Sequence, residues 1–269
     1  MSDATILLGA VAYDVKVLTL WESLREHFRA QGVALDFALF STYERLVEAL
    51  LGGHVDVSYS DPLAHVRVKR RTDGRSLTLG MRDIDRDFQT KILVRRDAGI
   101  GALTDLQDKT VAVGSRDSVK ARILPLFFLR RAGVELDRLK LLTFECDPGK
   151  HGDTPRSEME VLAALHDGRA QAGAVGNTVW QAEQAAGRVD PHKVEMLWTT
   201  PAYDHHALDA LPTIPEERAK NLTRVLFEMR WNNPKHRKYL EVEGHRQWVS
   251  GRDEGYAQLV AALDDQRGW

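Results

Sequence analysis

The chain runs through one order of elements twice. Leu46–Leu63, LVEALLGGHVDVSYSDPL, reads as a helix tail, a Gly-Gly stop, a strand at Val55–Tyr59 and a new helix opened by Ser60-Asp61-Pro62. Val161–Thr178, VLAALHDGRAQAGAVGNT, repeats that order with Gly168 in the place of Gly53. An earlier echo precedes each copy: Arg29–Asp36, RAQGVALD, and Arg130–Asp137, RRAGVELD, which set Gly32 against Gly133. Two echoes in the same order imply two similar α/β lobes. The interval between matched glycines is longer in the second copy, so an insertion lies between Asp137 and Val161. It holds Cys146-Asp-Pro-Gly-Lys-His151-Gly-Asp153-Thr154.

Around these anchors the pattern alternates strand and helix. Thr5–Ala12 is a continuous apolar run, as in a parallel strand covered on both faces. Val17, Leu18, Leu20, Trp21, Leu24 and Phe28 keep helical spacing up to the Gly32 stop. Leu35–Phe40 is a second strand, and Ser41-Thr42 caps the next helix. This βαβαβ order predicts a parallel sheet with right-handed crossovers. Strands follow at Leu77–Met81 and Thr90–Arg95. Arg82–Asp87, RDIDRD, reads as a charged surface turn. The second copy begins with strand Thr110–Gly114, and Ser115-Arg116-Asp117-Ser118 opens a helix over Val119–Ala132. Thr199–Leu211 reads as irregular, and the chain is helical beyond Pro215. The expected division is one lobe from residues 1–88 and 200–269 and a second from 89–199.

Composition narrows the function classes. A hydrophobic content of 43% and a charged content of 28% are those of an ordinary globular chain. A net charge of −2 gives no reason to expect nucleic acid or an anionic membrane as partner. One cysteine excludes an internal disulfide and fits a reducing compartment. The start, MSDATILLGAVAYD, has no basic region ahead of its short apolar run, which is not the pattern of a secretion signal. A cytoplasmic location is the expectation.

Open α/β sheets bind ligands beyond the carboxyl ends of their strands. That rule collects Tyr13-Asp14, Ser41, Ser60-Asp61, Ser115 to Ser118, Cys146–Thr154 and Asn177. The Thr199–Leu211 segment adds Tyr203, Asp204 and His205. The order VAYD, FSTYERLVEALLGGHVDVSYSDPLAHV, LTDLQDKTVAVGSRDS and DGRAQAGAVGNTVW resembles the phosphonate/phosphate-type solute-binding proteins of ABC importers. The resemblance covers roughly Ile6 to Glu228. It implies two Rossmann-like lobes around an interlobe cleft, the type 2 periplasmic-binding-protein fold. It also implies that a phosphoryl oxygen is held at the start of the second-lobe helix.

Asp61 stands where that branch of importers usually has Gly, and Arg116-Asp117 interrupt the usual Ser/Thr-rich turn. Leaderless enzymes share the fold, among them chorismate dehydratase and dihydroxyphthalate decarboxylases. Asp14, Asp61, Asp117, Asp147, Asp153 and Asp204 all fall on ligand-facing loops, and crowded carboxylates call for a cation or a proton between them. His151, Asp153 and His205 form a candidate three-ligand set for a divalent metal, or a catalytic set with His151 and His205 as general acid and base. Helix capping by the aspartates, with solvated histidines, is the other reading of the same residues. No nucleotide cofactor is indicated. The favoured expectation is a metal-assisted lyase (decarboxylase or dehydratase type) or hydrolase acting on a small polar substrate. Tyr13, Asp14, Ser60, Asp61, Ser115, Arg116, Asp117, Ser118, Asn177, Tyr203 and Asp204 would contact that substrate. The rival is a non-catalytic binder of a phosphonate- or phosphate-like anion, as importer component or sensor. His65 is expected in the core, and His236 and His245 in solvent. Oligomeric state is left open by the sequence.

Overall fold

The computed structural model describes residues 5–152 and 154–265. The chain divides into two compact units. The first takes the residues up to Asp87 together with Asp204–Tyr256, and the second takes Phe88–Tyr203 together with the residues from Ala257 on.

The first unit contains β1 (Ile6–Val11), α1 (Lys16–Ala30), β2 (Leu35–Phe40), α2 (Tyr43–Leu51), β3 (Val57–Ser60), α3 (Pro62–Arg71) and β4 (Leu77–Arg82). The second contains β5 (Thr90–Arg95), β6 (Thr110–Val113), α4 (Leu124–Arg131), β7 (Lys140–Thr143), α5 (Arg156–His166), β8 (Ala172–Gly176), α6 (Asn177–Ala185) and β9 (Val194–Thr199). The chain then returns to the first unit with β10 (Ala207–Ala210), α7 (Glu216–Phe227), α8 (Pro234–Val242) and β11 (Trp248–Ser250). It ends in the second with α9 (Ala257–Asp265).

Strand order in the first sheet is β11-β4-β10-β3-β1-β2, and in the second β7-β6-β8-β5-β9. The two orders superpose strand for strand: β2-β1-β3-β10-β4 corresponds to β7-β6-β8-β5-β9. In each sheet the middle strand is antiparallel to its neighbours, β10 against β3 and β4, β5 against β8 and β9. In each it is supplied by a segment that has just crossed from the other unit. The glycines that announced the repeat are its structural equivalents. Gly32 and Gly133 have φ of 75° and 91°, Gly53 and Gly168 of 69° and 78°. All four end helices in the left-handed region, which residues with a Cβ adopt only at a cost.

Strand side chains alternate between the two covered faces. In β1, Ile6, Leu8 and Ala10 pack with Trp21 and Phe28 of α1, Leu222 of α7 and Leu240 of α8. Val11 faces the other way, toward Leu46 and Leu50 of α2 and Val68 of α3. The second sheet does the same: Val111 and Val113 meet Leu126 and Leu129 of α4, and Ala112 meets Val161 and Leu165 of α5.

The structure corrects four expectations. The segment read as irregular holds β10, hidden because its buried Asp209 breaks the apolar run. The last helix, assigned to the first lobe, packs on α4 and pairs Arg130 with Asp265 at 2.9 Å in the second unit. The charge run after β4 is not all surface: Arg82 and Asp85 are buried as a pair. His245, expected in solvent, is 2% exposed. His65 is a core histidine as expected, 2.8 Å from Asp209 and stacked on Tyr256.

Candidate functional site

In the second unit the polar residues gather beyond the C-terminal end of β6. Ser115–Ser118 forms a turn closed by the Ser118 N–H on the Ser115 carbonyl at 2.9 Å. The Ser118 hydroxyl accepts from the Ala121 N–H at 3.0 Å and caps a π-helical turn, Val119–Ile123, that runs into α4. The insertion folds back onto this turn, with the Gly149 N–H donating to Asp117 Oδ2 at 2.5 Å. It thereby delivers His151, which is 1% exposed and hydrogen-bonded through Nε2 to the buried Ser157 hydroxyl of α5. Burial, reinforced by the Lys120 charge, pushes the His151 imidazole down to about 3, so it is neutral at physiological pH. Lys120 itself is buried and paired with Glu158 of α5 at 2.9 Å. Glu158 also accepts from the Gly176 N–H at 2.6 Å, at the end of β8.

Thr90 adds a second layer. Its hydroxyl donates to the Lys120 carbonyl at 2.7 Å, so the Tyr203 hydroxyl, 2.8 Å away, donates to Thr90. Burial raises the Tyr203 phenol further, which keeps it a neutral donor. Several buried polar atoms here have no hydrogen-bond partner among the described residues: Ser115 Oγ, Asp117 Oδ1, His151 Nδ1, Thr154 Oγ1 and Asn177 Oδ1. Such groups are costly unless something else satisfies them.

The first unit holds a different cluster at the end of β4. Arg82 binds Asp85 through two bonds, Nε to Oδ2 at 2.6 Å and Nη2 to Oδ1 at 2.9 Å, and reaches Glu243 at 2.9 Å. Despite burial, the Arg82 charge and the two histidines hold the Asp85 carboxyl well below the usual range. His206 stacks on Tyr59, with ring centroids 5.0 Å apart, and meets the Tyr43 hydroxyl at 3.1 Å. The Nδ1 atoms of His205 and His206 are 2.7 Å apart.

Other residues singled out in the sequence have structural partners. Tyr13 donates to Glu243 at 3.0 Å, and Asp14 accepts from the Lys16 N–H at 2.9 Å at the start of α1. Asp61 caps α3 through the Ala64 N–H at 2.7 Å. The Ser60 and Ser58 hydroxyls pair at 2.9 Å, and Arg116 lies exposed beside Glu145. Asp204 is clamped by Arg252, both oxygens at 2.6 Å. Asn177 is the first residue of α6. His151 belongs to the second unit and His205 to the first, and Asp153 lies outside the described residues. Sequence reading passed over Thr90, Lys120, Ser157 and Glu158. Their only signal was a polar residue on a helix or strand face that otherwise reads as core.

Comparison with known proteins bears on the chemistry. The family described as "ABC transporter, phosphonate, periplasmic substrate-binding protein" matches residues 11–256. A probable ABC transporter phosphite binding protein, PhnD1 of Prochlorococcus marinus (strain MIT 9301), is 24% identical over 215 residues, 76% of this chain and 69% of that protein. The crystal structure of PhnD1 from that organism with methylphosphonate superposes with a TM-score of 0.75 at 19% identity, covering 98% of this chain and 99% of the other. XAC2383 of Xanthomonas citri bound to ATP gives 0.74 at 19% identity over 98% of each chain. These superpositions establish the type 2 periplasmic-binding-protein fold. The expectation of a cytoplasmic lyase or hydrolase is overturned, because the matching proteins are transporter binding proteins. The burial of His151 agrees with this: held down to about 3, the imidazole is neutral at physiological pH and is not the imidazolium that a general acid requires.

Proposed function

We propose that this chain, which belongs to the family of periplasmic substrate-binding proteins of phosphonate ABC transporters, is a non-catalytic receptor for a small phosphorus oxyanion. Methylphosphonate, phosphite and phosphate are representative ligands. The observation that carries the reading is the set of buried donors in the second unit left without a partner among the described residues: Ser115 Oγ, Thr154 Oγ1 and His151 Nδ1. An oxyanion only accepts hydrogen bonds, and hydroxyls with a neutral imidazole supply donors without a net charge. If the Ser157 hydroxyl donates to His151 Nε2, the imidazole proton sits on Nδ1 and is available to the ligand. The Ala121 N–H is taken by the Ser118 hydroxyl, so at this helix start only the N–H groups of Val119 and Lys120 could add to the set.

The nearby cation does not supply the attraction, because Lys120 is already neutralised by Glu158. Recognition then rests on oriented dipoles, which discriminate by geometry and protonation rather than by charge alone. In this reading the protein works outside the cytoplasmic membrane beside an importer, and closing on a ligand is its only task.

Isothermal titration of ligand-free protein with methylphosphonate, phosphite, phosphate, ATP, sulfate and a dicarboxylate tests the proposal. One-site binding of a phosphorus oxyanion, with sulfate and the dicarboxylate much weaker, is expected. Saturable binding of the dicarboxylate with none of the phosphorus compounds would overturn it.

A further inference from the structure

We propose that Asp85, His205 and His206 form a divalent transition-metal site inside the first unit, separate from the oxyanion donors. Nδ1 of His205, Nδ1 of His206 and a carboxylate oxygen of Asp85 lie within 4.8 Å of one another, and all three residues are buried. Asp85 Oδ1 is 3.5 Å from His205 Nδ1 and 3.6 Å from His206 Nδ1. Donors about 2.0–2.2 Å from one ion stand roughly 3–3.5 Å apart, so these spacings suit a single metal. The histidine nitrogens, at 2.7 Å, have to part by about half an ångström to reach that range.

The charges favour a cation here. Arg82 pairs with both Asp85, which is fully buried, and Glu243, which is partly exposed, so one fixed cation faces two carboxylates. Buried charge without a counter-charge is expensive. Two imidazoles and one carboxylate are borderline ligands that suit Zn²⁺ or Co²⁺ rather than Mg²⁺ or Ca²⁺.

The surroundings supply outer contacts of the kind that orient metal ligands. The Tyr43 hydroxyl meets Nε2 of His206, which leaves Nδ1 as the coordinating atom, and Tyr59 stacks on the same ring. Arg82 is the competitor: its Nη2 is 3.3 Å from His206 Nδ1 and would give up that contact. It also holds Asp85 Oδ1 through Nη2 at 2.9 Å, a bond the ion would have to share or replace, while Nε keeps Asp85 Oδ2 and Nη1 keeps Glu243. The ion would tie the turn after β4 to the residues that lead into β10.

The test uses protein without a polyhistidine tag, stripped with chelator and titrated with Zn²⁺ and with Co²⁺. Expected are one ion per chain, visible Co²⁺ absorption, and a melting temperature raised by roughly 5–10 °C at about a hundredfold excess of Zn²⁺ over Kd. D85N and H205Q should each weaken binding more than tenfold, while the exposed-site variant H54Q should leave it unchanged. Wild-type protein, folded by circular dichroism, that binds neither ion overturns the proposal. Wild-type affinity retained in H205Q overturns it as well, by placing the ion elsewhere.

Discussion

Lowering the pH from 7 to 5 should destabilise this protein through two buried histidines. His151 and His245 are each pushed from an ordinary value of 6.5 down to about 3, chiefly by burial. Both are neutral in the native state, whereas in the unfolded chain each takes up a proton below pH 6.5. The depressed native value therefore leaves stability intact above 6.5. Stability falls as pH drops from 6.5 toward 3, because the unfolded state binds the extra proton. At 1.36 kcal/mol per pH unit, each histidine removes about 2 kcal/mol by pH 5, and the two together about 4 kcal/mol. Carboxylates held low by partners, Asp85 above all, lose their contribution only below the unfolded carboxylate range, so they add little in this window. Urea unfolding followed by tryptophan fluorescence at pH 7, 6 and 5 measures the effect for wild type, H151Q, H245Q and the double variant. Each single variant should lose about half of what these two histidines contribute, and the double variant nearly all of that contribution; His27 and His236, also lowered by burial, leave a smaller remainder. A double variant whose stability falls between pH 7 and 5 as steeply as the wild type's would refute the reasoning.

Ser115→Ala should leave apo stability within about 0.5 kcal/mol, since its hydroxyl has no partner among the described residues. The same change should weaken oxyanion binding by about 1.5–3 kcal/mol in calorimetry; unchanged affinity would remove Ser115 from the site. Gly255→Ala places a Cβ 2.1 Å from Asp204 Cγ, against the carboxylate clamped by Arg252. A loss of about 1–3 kcal/mol in thermal unfolding is expected, and a variant that melts with the wild type contradicts it. Lys120→Met strands the buried Glu158 carboxylate and should cost about 3–5 kcal/mol, part of which K120M/E158Q recovers in the same assay. Because Lys120 is neutralised in place, oxyanion affinity should change little between low and moderate salt; a steep salt dependence would point to an unpaired cation instead.

The reversal from enzyme to receptor turns on what each aspartate does. Counted along the sequence, the ligand-facing aspartates look like a crowd of carboxylates that needs a metal or a proton. In the structure Asp14 and Asp61 accept from backbone at helix starts, Asp117 anchors the insertion, Asp147 meets Arg156 and Asp204 is held by Arg252. Capping reads locally, from an Asp before Pro62 or Lys16, and was the alternative weighed for the same residues. The Arg252 clamp left no such trace.

The repeated glycines, the two apolar periodicities and the order of elements are local features, and each is set by the backbone conformation that a few consecutive residues prefer. They were sufficient for the two-sheet fold and its family, because helix stops and covered strands depend on near neighbours. The pairings that decide chemistry join distant positions: Arg82 and Glu243 are 161 residues apart, His65 and Asp209 144, and Asp204 and Arg252 48. Which charge meets which, and which hydroxyl is left with nothing to bond, depends on how the chain crosses between its two units. Burial, with the Lys120 charge beside it, then turns His151 from a proton carrier into a neutral hydrogen-bonding group, a change that no stretch of sequence around it encodes.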